Sequence, residues 1–283
     1  MAAISDIPHL IQLLDDESEE VRTHIWEVLQ SFGEQLESTV AELWGELARN
    51  QQQQLSAYFE NQRWDRFQAA WWKWLEIEND QEALTYALNH LMELDKPWGT
   101  LSLHEYLTIW RDELLEQSPN PTLHDVLTFL FVANGGRLLP ASTDQQGEES
   151  CHLIQVMEHG YGQYLALSLV AVMIGRSIGL QMVPYLYRSN YLILGETSEG
   201  LNIFDPYRQG KSITPYQLES EKYPLRLSGL DLWSQQPSLT ELVMRVLNQL
   251  IHAYVRSENL IKAQRYQSIK DQLVALLSKD QGF

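Results

Sequence analysis

The chain has 283 residues, of which 44% are hydrophobic and 20% charged, a composition that excludes wholesale disorder and supplies enough apolar surface for a sizeable core. With 20 basic against 38 acidic residues the formal charge is −18, which argues against nucleic acid and anionic membrane as partners, since both are bound by Lys/Arg-rich faces. A lone cysteine, Cys151, excludes an internal disulfide framework and any all-cysteine metal site.

The first 60 residues hold 12 acidic and 2 basic side chains, a local charge of −10. Ile7, Leu10, Ile11 and Leu14 recur at helical spacing and stop at Asp15-Asp16-Glu17-Ser18; Val21, Ile25, Val28, Leu29 and Phe32 follow at the same spacing, closed by Gly33. Two short amphipathic helices around an acidic turn, reading Leu-Leu-Asp-Asp from Leu13 and Glu-Val-Arg to Arg22, resemble one HEAT repeat. One such unit cannot bury its own apolar face, so other helices must cover it. The acidic run reads as a solvated turn rather than a binding site. Gln51 to Gln54 is a polar run, either loop or an extension of a helix. Trp64, Phe67, Trp71 and Trp74, three or four residues apart, form an aromatic stripe whose plain reading is core packing; a stacking platform for sugars or bases is the alternative. Helical periodicity continues through Ala83 to Leu94 and Leu101 to Leu115, broken by Asp95-Lys96-Pro97-Trp98-Gly99 and Ser118-Pro119-Asn120-Pro121. Residues 1–133 are therefore expected as one helical region.

The texture changes at Asn134-Gly135-Gly136, and the stretch from there to Ser150 reads as loop. Gly135-Gly136 and Gly160-Tyr161-Gly162 lack the spacing and the following Lys of a phosphate cradle, so they read as turn glycines. Leu165 to Ile178 is apolar almost all round apart from Ser168 and Arg176, the mark of a buried helix, and ends at Gly179. Three short segments rich in aliphatic and aromatic residues, Met182–Tyr187, Tyr191–Leu194 and Leu201–Phe204, read as strands, the last two joined as a hairpin. Beyond Pro237 the helical pattern returns over Leu239–Val255 and Leu260–Leu277, and Tyr254, Ala263 and Tyr266 make this pair resemble one tetratricopeptide unit.

The expected fold is thus α+β and mostly helical: a HEAT-like helical start (1–133), a papain- or transglutaminase-like core of one buried helix and a small antiparallel sheet (134–236), and a C-terminal helical hairpin (237–283). A buried helix whose N-terminus faces such a sheet suits thiol chemistry, because the helix dipole and unpaired amides stabilise a thiolate there. A histidine on one strand then serves as base, and a carboxylate or amide on the next orients it.

In order and spacing, Gly162, Gln163 to Leu167, Arg176-Ser177-Ile178-Gly179-Leu180-Gln181 and Phe204-Asp205-Pro206-Tyr207 resemble the SirB-type transglutaminase-like proteins. The resemblance implies a helical N-terminal region, a transglutaminase-like core and a tetratricopeptide-like C-terminus. It also implies a nucleophile at Ala166, a base at Asn190 and a carboxylate at Asp205, and only the last keeps a residue type fit for its role. Alanine has no lone pair and an amide does not shuttle protons near neutral pH, so the three are expected as vestiges of a triad. The expected function is therefore an inactive transglutaminase-like scaffold, cytoplasmic, without cofactor or metal, that binds a protein partner and neither nucleic acid nor membrane.

An alternative keeps catalysis by moving the nucleophile to Cys151, with His152 or His159 as partner, in a hydrolase or acyl-transferase; the same two histidines and the cysteine also form a weak metal-site candidate. A third reading makes the chain wholly helical, its strands misread. His9, His24, His90, His104, His124 and His252 are scattered without partners. Met1–Asp6 lacks the basic start of a secretory signal, and the most apolar stretch, Leu165–Ile174, is shorter than the ~20 residues a bilayer needs.

Overall fold

A computed structural model describes residues 3–132, 136–187, 190–197, 200–213 and 236–280. The helices are α1 (Ile7–Gln12), α2 (Glu19–Gln30), α3 (Glu34–Leu43), α4 (Arg49–Ala70), α5 (Asp80–Leu94), α6 (Leu103–Gln117), α7 (Leu123–Phe131), α8 (Leu153–His159), α9 (Tyr164–Ser177), α10 (Leu239–Arg256) and α11 (Leu260–Asp280). The strands are β1 (Leu139–Pro140), β2 (Tyr161–Gly162), β3 (Met182–Tyr187), β4 (Asn190–Thr197), β5 (Gly200–Asp205) and β6 (Lys211–Ile213). The protein is mostly helical α+β, as expected, and the wholly helical reading is overturned by the four-stranded antiparallel sheet β3-β4-β5-β6. The chain forms two compact units, one of Met1–Trp72 with Glu93–Leu101 and one of Lys73–Met92 with Ser102–Phe283.

In the first unit, α1 and α2 flank the acidic turn. That turn is held rather than loose: Ser18 caps α2, Asp16 accepts from the Ser18 amide at 2.8 Å, and the Arg22 guanidinium donates to the Asp16 carbonyl at 2.6 Å. Asp15 accepts from the side-chain amides of Asn50 and Gln51, which places the polar run inside α4 as helix, not loop. The face that a lone repeat would expose is covered by α3 and α4. Ile7, Ile11 and Leu14 pack with Ile25, Leu29, Leu36, Val40, Leu55 and Phe59 in one core. The aromatic stripe reads as core: Phe67 and Trp71 are buried and Trp64 is half-buried, while Trp74, also buried, lies past the unit boundary in the 3-10 stretch Trp71–Glu76 that follows α4.

In the second unit the centre is α9, with Leu165 to Gly175 buried without a break. It packs on β3 and β4 and is flanked by α6, α7 and α8. Gly179, with φ +86°, closes the helix: its amide donates to the Arg176 carbonyl and that of Leu180 to Gly175, a closure needing a left-handed residue. The register Val183↔Leu194, Ile193↔Phe204 and Ile203↔Ile213 puts Val183, Tyr185, Leu192, Leu194 and Ile203 on one face as a second core cluster. On the other face, Met182 and Gly195 lie against α9 and α7. Pro184 sits in β3, an edge strand, where its missing N–H costs no ladder bond. The loop expected from 134 to 150 contains β1, which pairs in parallel with β2, and two 3-10 turns. The expected break at Asn134-Gly135 lies outside the described residues. The C-terminal pair forms the expected hairpin, with Tyr254 and Tyr266 stacked at 5.5 Å and Ala263 buried between the helices.

Candidate functional site

The first turn of α9 holds the position at which the SirB-type resemblance implies a nucleophile. Gln163 is its N-cap; its amide donates to the Ser150 carbonyl (2.8 Å) and its side-chain amide to Ser150 Oγ (3.1 Å). Tyr164, the first helical residue, stacks on Tyr207 with ring centroids 3.6 Å apart and planes within 12°. The Tyr207 hydroxyl reaches the Gly162 carbonyl at 3.4 Å. This aromatic pair fixes the end of β5 against the helix start.

Ala166 is the third helical residue and 1% exposed. Asn190 is exposed and opens β4 opposite Tyr187, while Asp205 ends β5 opposite Lys211. Because Ile193 pairs with Phe204, Asn190 and Asp205 lie at the same end of the sheet and, by the two-residue period, on the same face. Asp205 is also close enough to Tyr164 to help raise that phenol, whose pKa burial already pushes up. Ser168, one turn from the helix start and fully buried, donates to the carbonyl of Tyr191, the neighbour of Asn190, at 2.7 Å. Asn190 and Asp205 thus share one end of the sheet, the end that Tyr164 and Ser168 of α9 reach.

Ala166 brings a methyl group. Asp205 is engaged locally: one oxygen accepts from the Tyr207 amide at 2.8 Å, capping the turn Pro206–Arg208, and the other lies 3.6 Å from the Arg208 guanidinium. The Ser168 hydroxyl spends its proton on a backbone carbonyl. Burial, with the neighbouring Tyr164, Cys151 and Asp205, pushes the Tyr207 phenol to about 12, so it stays protonated at neutral pH.

Cys151 lies near Tyr207 but is 4% exposed. Burial pushes its thiol up to about 11, against smaller opposing effects of a Ser150 hydrogen bond and the Arg256 charge. The thiolate that a relocated nucleophile needs is therefore scarce. His152 is wholly buried, its Nε2 3.1 Å from the Met92 carbonyl, so that nitrogen carries its proton toward the backbone. His159 is exposed at the far end of α8, beside Tyr161. The two histidines flank α8 at opposite ends, about 10 Å apart along its axis, and do not share a site. Among the described residues no group of three or more His, Cys, Asp or Glu side chains is placed to hold a metal.

Sequence reasoning missed Tyr164 and Tyr207, which hold the end of β5 against the helix start. Their signal was present in chain order: Tyr207 follows Asp205-Pro206, and Tyr164 opens the apolar helix. No curated protein and no solved structure matches the chain. Comparison with protein families matches residues 102–231 to the transglutaminase-like superfamily, a span that takes in α6 and α7 from the stretch expected as the N-terminal helical region. Residues 102–231 are thus a transglutaminase-like superfamily domain.

Proposed function

We propose that this protein is a SirB-type transglutaminase-like protein that has lost acyl-transfer chemistry at the first turn of α9 and acts as an interaction scaffold. The observation that carries the reading is Ala166: the position where the resemblance places the attacking atom holds a buried methyl group. Two further features support it. Asn190 cannot relay a proton at neutral pH, and Asp205 is committed to capping a turn and to Arg208. The hydrolase reading through Cys151 is not favoured, because the thiol is buried and held protonated.

A scaffold acts through its surface. Leu260 and Ile261 at the start of α11 and Val255 at the end of α10 are more than half exposed at the tip of the C-terminal hairpin, an apolar spot on an otherwise acidic molecule. The partner of this reading is a protein, in the cytoplasm; the net charge of −18 disfavours nucleic acid and anionic lipid. No described helix is long and apolar enough to cross a membrane.

The test is to incubate the purified protein with serine- and cysteine-directed activity probes and with thioester, amide and peptide substrates. No labelling and no turnover above the uncatalysed rate are expected. Turnover by the unaltered protein that is lost when the residues around Ala166 are changed overturns the proposal.

A further inference from the structure

At the other end of α9, about 15 Å from Ala166 along the helix axis, the second unit contains a cavity of about 380 Å³. Its walls combine apolar side chains, among them Leu84, Val183, Pro184 and Leu242, with three charged groups: Arg176, Asp80 and Glu241. Each charged group is placed by its element. Arg176 is in the last turn of α9, Asp80 opens α5, and Glu241 sits in the first turn of α10, where its carboxylate accepts from the Ser238 amide and hydroxyl.

Arg176 is the unusual member. It is half-buried, and among the described residues its guanidinium makes one hydrogen bond, Nε to the Met182 carbonyl at 2.6 Å, and no ion pair within 4 Å. Burial lowers its pKa, and the Asp80 charge only partly restores it. A guanidinium taken partly out of water, with its planar fork not engaged by a carboxylate, suits a planar anion. The walls then narrow the choice. A purely anionic ligand meets repulsion from Asp80 and Glu241, and a purely cationic one meets Arg176. A ligand carrying both charges satisfies all three, and the apolar walls receive its hydrocarbon part.

We propose that this cavity binds a small zwitterion of the α-amino-acid type with an apolar side chain, its carboxylate on Arg176 and its ammonium toward Asp80 and Glu241. The site is independent of the start of α9, so either reading stands or falls alone.

Calorimetric titration of the full chain with L-leucine, N-acetyl-leucine, leucine amide and inorganic phosphate tests it. The expected result is saturable binding of leucine, with each blocked derivative and phosphate at least about tenfold weaker, as loss of one charge-assisted contact implies. Arg176→Gln and Asp80→Asn should each weaken leucine by a similar factor. Circular dichroism reports whether the variants fold; if Arg176→Gln does not, Asp80→Asn, at the first position of α5, decides. The proposal is overturned if leucine does not bind, if the blocked derivatives or phosphate bind as well, or if folded Asp80→Asn binds leucine unchanged.

Discussion

Cys151 shows how burial decides what a side chain can do. Its thiol is raised from an ordinary 9.0 to about 11, so at neutral pH only about one molecule in ten thousand carries a thiolate. Alkylation of the folded protein should therefore be slow at pH 7 and accelerate about tenfold per pH unit up to pH 10, which mass-spectrometric labelling rates will show. A rate at pH 7 equal to that of a free thiol contradicts the reading. The same shift affects stability with a definite sign. Below pH 9 neither folded nor unfolded chain ionises the thiol; between about 9 and 11 only the unfolded chain releases the proton, and the folded state loses stability there. At this scale the sequence was informative about residue type but not about burial. Ala166 and Asn190 were legible as a methyl group and an amide, whereas the sealing of His152 against the Met92 carbonyl depends on a contact 60 residues away in the chain.

Among the elements, α9 and the sheet were the most legible because both carry strong patterns: an apolar run ended by Gly179, then three β-rich segments between turns. The structure lengthens β4 to Asn190–Thr197 and adds β6, whose three residues are too short to show a period. It also adds β1 and β2, two residues each, which exist because 139–140 and 161–162 meet in space. Close approach at Gly195 gives a test of the α7–sheet contact. A Cβ there falls on Cδ1 of Leu123, well inside van der Waals contact, so Gly195→Ala should cost about 1–3 kcal/mol in urea unfolding. Gly175→Ala should cost less, since the atom it meets is the flexible thioether of Met182. In the N-terminal unit, Glu37 accepts from Arg63 at 2.9 Å and from Arg66 at 2.9 Å. Burial pushes its pKa up, but the two arginines outweigh it and hold the carboxyl below its usual range. The folded state thus gains stability from this group above about pH 4.5 and loses it as the pH falls further. Glu37→Gln should remove that part of the acid dependence and lower stability at neutral pH, because Arg63, itself 9% exposed, loses its counter-charge. Urea titrations at several pH values will show both effects.

For the molecule as a whole, the charge of −18 is a standing self-repulsion. Raising salt from about 0.01 M to about 0.15 M shortens the screening length from about 30 Å to about 8 Å, and the melting temperature should rise. A melting temperature that falls over this range places the balance of charge pairs in favour of attraction. Composition announced this property at once. It did not announce how the chain divides, because the two compact units interleave: Glu93–Leu101 joins the first and Lys73–Met92 the second, an exchange that no local pattern encodes.

Pro184 has one further consequence. An exposed strand margin is a template on which a second chain can zip, and propagation requires an uninterrupted row of amide donors. By placing an imino acid midway along β3, the sequence breaks that row at the margin of its largest sheet. A strand aligning along β3 therefore meets a gap in the amide row at Pro184.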